Sequence, residues 1–177
     1  MSEMKRYSTM LVLLHWVLAI FILGAIFMGG VVLDEMESDH PQKVLLLKTH
    51  ILVGVGILLL TLFRLYVRYT TPQPAAVVSN KPVLDKIAKG IHHLLYLLTI
   101  LTVLAGVTLA ISADLPTVLL NNIGTLPKDY HDFVAHEVHE IFANLLFFTI
   151  LLHVAAALYH QFLLKDGLLS RMTLHKD

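Results

Sequence analysis

Residues 139–153 read His139-Glu140-Ile141-Phe142-Ala143-Asn144-Leu145-Leu146-Phe147-Phe148-Thr149-Ile150-Leu151-Leu152-His153. Two histidines bracket the stretch, fourteen residues apart, with almost nothing polar between them. On an α-helix that interval returns to nearly the same face and rises about 21 Å. This is roughly two-thirds of the ~30 Å hydrocarbon core of a bilayer. One helix with a histidine near each end of its buried part can serve two cofactors, one above the other, provided that the rest of the chain supplies a partner at each level.

The composition agrees with a membrane setting. Of 177 residues, 56% are hydrophobic and only 15% charged, and the mean hydropathy is +0.73. A soluble domain of this size needs a more polar surface. The formal net charge is zero, so there is no general attraction to nucleic acid. The absence of cysteine excludes disulfides, thiolate metal sites, iron–sulfur clusters and the Cys-x-x-Cys-His attachment of c-type haem. Eleven histidines are the main ionisable residues inside the apolar runs, where ionisable groups are functional by default.

Four apolar runs predict an all-α fold, an integral membrane four-helix bundle with helices at about 10–33, 44–69, 87–112 and 139–164. They are long enough to span and lack the alternation of a β-barrel. The first follows Lys5 and Arg6 but is too long for a cleaved signal peptide. An acidic loop, Asp34 to Pro41, and a proline-bearing loop, Thr70 to Pro82, separate the first three spans. Neither an internal repeat nor a second domain is evident. Lys5, Arg6, Arg64, Arg68, Lys81, Lys86, Lys89, Lys165, Arg171 and Lys176 gather at the termini and the second loop, against Lys43, Lys48 and Lys128 in the other two. The positive-inside rule then predicts both termini in the cytoplasm.

That topology sets the depth of each histidine. His15 lies near the inner end of the first helix, His50 near the outer end of the second, His139 outer and His153 inner on the fourth. Two level pairs result, His15 with His153 and His50 with His139. Iron held between two imidazoles needs no other protein ligand, and the spacing suits two b-type haems stacked across the bilayer. A single membrane histidine is often a helix-to-helix hydrogen-bonding residue, but four in two depth-matched pairs are rarely so. A zinc or copper site is the other reading. Such sites usually add carboxylate or sulfur ligands, and Glu140 is the only nearby carboxylate. Gly54, one turn from His50, either clears room for a flat macrocycle or serves ordinary small-residue helix packing.

Several motifs then combine. They are Leu14-His15-Trp16; His50 with Gly54, Arg64-Leu65 and Arg68; His92-His93-Leu94-Leu95-Tyr96; His139-Glu140-Ile141-Phe142-Ala143; His153 to His160; and Lys165-Asp166-Gly167 through Arg171-Met172. Together they make nearly the whole chain resemble the bacterial four-helix di-haem cytochrome b561 family, whose characterised branch includes superoxide oxidase. The resemblance implies haem iron ligation by His15, His50, His139 and His153, two haem b cofactors, ubiquinone as a partner and a multi-pass place in the bacterial inner membrane. It implies an oxidoreductase of the superoxide:quinone type, passing electrons between an outer-side donor and membrane quinone.

Arg64 shares a helix face with His50 but lies at the inner level, where a guanidinium can pair a haem propionate or snorkel to the interface. His160, two turns beyond His153, is a candidate for a quinone carbonyl, with Arg64 beside it. Of His92 and His93, one is expected to face the bundle and the other water. His40, His131, His136 and His175 are expected to be solvated. Trp16 is read as an interfacial anchor or as packing on the inner haem. An anionic donor such as superoxide favours a positive surface. The outer loops are acidic, leaving Lys43 and Lys48 as candidate guides, Lys48 the preferred one. Two rival functions are a haem-bearing anchor subunit of a larger membrane dehydrogenase or hydrogenase, and a transporter or metal-binding protein without haem.

Overall fold

A computed structural model describes residues 6–74, 82–121 and 123–174. Lys5, Lys81, His175 and Lys176 lie outside the described residues. The described residues form helices and connecting turns, with no strand among them. Helix α1 spans Thr9–Phe27 and continues as a wider π-helical turn over Met28–Leu33. Helices α2 and α3 span Lys43–Thr70 and Pro82–Ser112, and a short α4 spans Leu115–Asn121. Helix α5 spans Val134–Tyr159 and also ends in a π turn, His160–Leu164. All four long helices are long and apolar enough to cross a membrane.

The boundaries follow local chemistry. Ser8 caps α1, its Oγ accepting from the Leu11 backbone N–H, one of the donors that a helix start leaves unpaired. Pro82 opens α3 earlier than the expected position 87, at a place where proline's missing N–H costs nothing. Helix α5 begins at Val134, not at His139, so Glu140 belongs to its second turn rather than its start. His136, expected in a solvated loop, lies in the first turn of the same helix.

Helix α4 has no counterpart in the four-span reading. Leu115 and Leu119 bury their side chains with Ala110, Ala113 and Leu126, against Val44, Leu47 and Ile51. Asp114, in the left-handed region at φ 48°, turns the chain out of α3. Its carboxylate accepts from Thr117 Oγ1 at 2.7 Å.

Helix α3 packs chiefly on α5, and α1 on α2. Leu11 and Leu14 of α1 meet Val67 of α2 under Tyr7 and Leu60. At the same end the C-terminal segment folds back on the start of α1. The Tyr7 N–H donates to the Arg171 carbonyl and Trp16 Nε1 donates to the Met172 carbonyl at 2.9 Å. This end, where the described residues begin and end, is the near end below; the other is the far end. Large apolar side chains such as Ile20, Leu52 and Phe148 point outward, 61–73% exposed, as a lipid-facing surface requires.

Candidate functional site

At the far end, His50 of α2 and His139 of α5 face one another with ring centroids 6.3 Å apart and planes at 84°. His139 Nδ1 lies 2.8 Å from the Thr102 carbonyl of α3. A carbonyl only accepts, so Nδ1 carries the proton and Nε2 keeps its lone pair. A backbone acceptor behind a ligating imidazole fixes tautomer and ring orientation in this way. His50 Nδ1 is buried without a hydrogen-bond partner.

Two glycines make room for these rings. A Cβ at Gly106 of α3 would stand 3.0 Å from His139 Cε1 and Nδ1, and one at Gly29 would stand 3.1 Å from His50 Cε1. Gly29 lies in the π turn that ends α1, a distortion common at functional sites. Beside the pair opens a cavity of about 760 Å³ whose lining includes His50, Gly54, Thr102, Gly106, His139 and Lys43. A Cβ at Gly54 would meet nothing within 4 Å, so this glycine borders open space rather than a packed helix.

At the near end, His15 of α1 and His153 of α5 stand with ring centroids 6.2 Å apart and planes at 67°. The Trp16 ring lies 5.2 Å from His15, so Trp16 both flanks this pair and bonds the C-terminal segment. His92 of α3 joins the group, its ring 5.2 Å from that of His153, with Nδ1 2.7 Å from its own helix's Ala88 carbonyl. Its neighbour His93 bonds the Lys89 carbonyl. Thus His92 is the bundle-facing member of that dipeptide.

The other candidates are partly engaged. The Arg64 guanidinium donates to the Leu11 carbonyl of α1, using one of its five donors. His160 Nδ1 lies 2.5 Å from Asp166 Oδ2. That hydrogen bond, with a further one from the Leu168 N–H, holds the Asp166 carboxyl below the usual carboxylate range. Lys43 is buried: its ammonium donates to the Leu33 and Met36 carbonyls and lies 5.7 Å from the centre of the Tyr130 ring. Lys48 is only part-buried and does not line the far-end cavity.

Sequence reasoning passed over Gly29, Gly106 and Thr102, and left open which of His92 and His93 faces the bundle. The small residues of α1 and α3 were a weak signal, and nothing local marks the Thr102 carbonyl as an acceptor for a ring on another helix.

Residues 6–175 match the family model described as prokaryotic cytochrome b561. The chain is 28% identical over 175 residues to a cytochrome b562 of Cereibacter sphaeroides, covering 97% of this chain and 98% of the relative. It is 28% identical over 173 residues to cytochrome b561 homolog 1 of Escherichia coli, covering 96% and 97%. It is 26% identical over 174 residues to a probable superoxide oxidase of Yersinia pestis, covering 95% and 96%.

Proposed function

The chain belongs to the prokaryotic cytochrome b561 family of membrane electron-transfer proteins, and we propose that it holds two haem b groups, one at each end of the bundle, and passes electrons between an outer-side donor and ubiquinone. His50 and His139 hold the far-end group and His15 and His153 the near-end group. The observation that carries this reading is the pair of facing imidazoles at each end, with centroids 6.3 and 6.2 Å apart. A separation of this size leaves room for a metal-centred group between the two rings of each pair, which these four histidines would hold. The partnerless His50 Nδ1, the open space at Gly54 and the adjoining cavity also suit a far-end haem.

When bound, the haems supply reversible one-electron chemistry. The protein fixes their spacing and, through the Thr102 carbonyl, holds His139 in the tautomer that leaves Nε2 free. His15, His50, His139 and His153 would hold the groups without a further protein ligand, and the haems would then supply electron transfer to or from a small oxidant or reductant. The basic near end faces the cytoplasm across the bacterial inner membrane. Quinone reacts near the inner pair, beside Arg64 and His160. Superoxide is the donor at the far end, a reading supported by the likeness to a probable superoxide oxidase, with Lys43 and Lys48 as its candidate guides.

The test is a pyridine haemochrome assay on purified protein, combined with single variants. Two haems b per chain are expected. His15→Ala and His153→Ala should remove one and the same haem, and His50→Ala and His139→Ala the other. A stoichiometry of zero or one, or the same spectral loss from His15→Ala and His50→Ala, would overturn the assignment.

A further inference from the structure

We propose that His131, His136, Glu137 and Glu140 form a second, separate metal site at the far-end mouth, for a divalent borderline ion of the zinc class. One ligand atom from each lies within 4.8 Å of all the others. His136, Glu137 and Glu140 come from the first two turns of α5, with His136 and Glu140 four residues apart and so on one face. His131 is brought in by the turn before the helix. Its own N–H donates to Asp129 Oδ1 at 2.9 Å, and its Nδ1 lies 2.6 Å from Glu137 Oε1.

Two further observations point to a cation rather than to an ordinary acid–histidine pair. His136 Nδ1 is shielded from solvent and has no hydrogen-bond partner. It lies 3.8 Å from the same Glu137 Oε1 that His131 bonds, too far for a hydrogen bond, so two imidazole nitrogens converge on one carboxylate oxygen. Buried polar atoms without partners are rare and call for an explanation; a shared ion among these four groups would satisfy this one.

The donor set fits the ion. Two imidazoles and two carboxylates, with no sulfur, suit zinc in its usual fourfold coordination and are too nitrogen-rich for calcium or magnesium. Ligands about 2.0–2.2 Å from a common zinc lie about 3.4 Å apart in a tetrahedron. The cluster therefore has to close by up to about 1.4 Å at its widest and open at the 2.6 Å His131–Glu137 contact, which three exposed side chains permit. Binding would also neutralise Glu140 on the rim of the cavity, since His131, His136 and Glu140 line the same space as His50 and His139. This inference uses none of the proposed haem ligands and does not depend on the haem assignment.

The experiment is zinc titration by calorimetry on chelator-treated, purified holoprotein, with zinc K-edge absorption to read the ligands apart from haem iron. One zinc per chain bound through about two imidazole nitrogens is expected. His131→Ala and Glu140→Gln, both at exposed positions, should each weaken it at least about tenfold, a scale that outer-shell changes alone can reach. His40→Ala, outside the cluster, should leave it unchanged. Equal zinc affinity in wild type and in the His131→Ala/Glu140→Gln double variant would overturn the site, as would zinc bound without imidazole. The exposed pair keeps the test decisive even if His136→Ala fails to fold.

Discussion

A methyl group at position 106 would press on His139 Cε1 and Nδ1 at 3.0 Å, and the ring it meets is tethered from behind by the Thr102 carbonyl. Gly106→Ala should therefore displace the imidazole at an overpacking cost of about 1–3 kcal/mol. Its signature is a changed far-end haem spectrum with the near-end haem untouched; spectra identical to wild type would remove Gly106 from the site. His160 gives a second prediction at this scale. Its Nδ1 is engaged by Asp166, leaving Nε2 to meet a quinone carbonyl, to which it donates only when the ring carries both protons. His160→Ala should slow haem oxidation by quinone while both haem spectra persist, and unchanged kinetics would exclude His160 from the quinone site. The histidines were legible in the sequence because spacing along a helix sets both face and depth. Gly29 and Gly106 were not, and the choice between His92 and His93 stayed open, because these depend on a ring carried by a different helix.

Long apolar runs announce themselves, and the four long helices did. What escaped is where helices bend, stop or start in response to a neighbour. Helix α4 hid inside a segment that reads as polar and proline-punctuated. Only the far-end core shows why Leu115 and Leu119 are buried. The π turn at Met28–Leu33 likewise has no local cue beyond Gly29-Gly30, although it ends with the Leu33 carbonyl accepting from buried Lys43. The same dependence on a distant partner governs the C-terminal segment, held to α1 by Trp16 Nε1 and the Met172 carbonyl. Trp16→Phe keeps the ring beside His15 and removes that bond, at a net cost of about 0.5–1.5 kcal/mol. Limited proteolysis should then cut residues 165–174 faster in the variant, with both haems retained. Equal cleavage rates would mean that other contacts, such as Tyr7 to Arg171, suffice.

Over the whole molecule, charge and topology set what can approach each end. The far-end cavity is rimmed by Asp34, Glu37, Asp129 and Glu140 against Lys43 and Lys128. If superoxide is the donor, its encounter is steered weakly and is screened over about 8–10 Å at ordinary salt. Stopped-flow reduction of the far-end haem by superoxide should slow as salt rises, and Lys48→Gln should slow it further by a modest factor. Slow, salt-insensitive reduction in both proteins would point to a neutral donor or a protein partner. Lys43 is a poorer probe, since its ammonium is tied to two backbone carbonyls and its loss would disturb the end of α1. Both facing histidine pairs share one further property: each takes a member from α5, the last long helix in the chain. A ribosome makes the chain from its N-terminus, so a nascent polypeptide halted before Val134 holds His15 and His50 without either opposite number. On the two-haem reading proposed above, cofactor capture would wait for the final span, and an unfinished chain in the membrane would carry no competent redox centre.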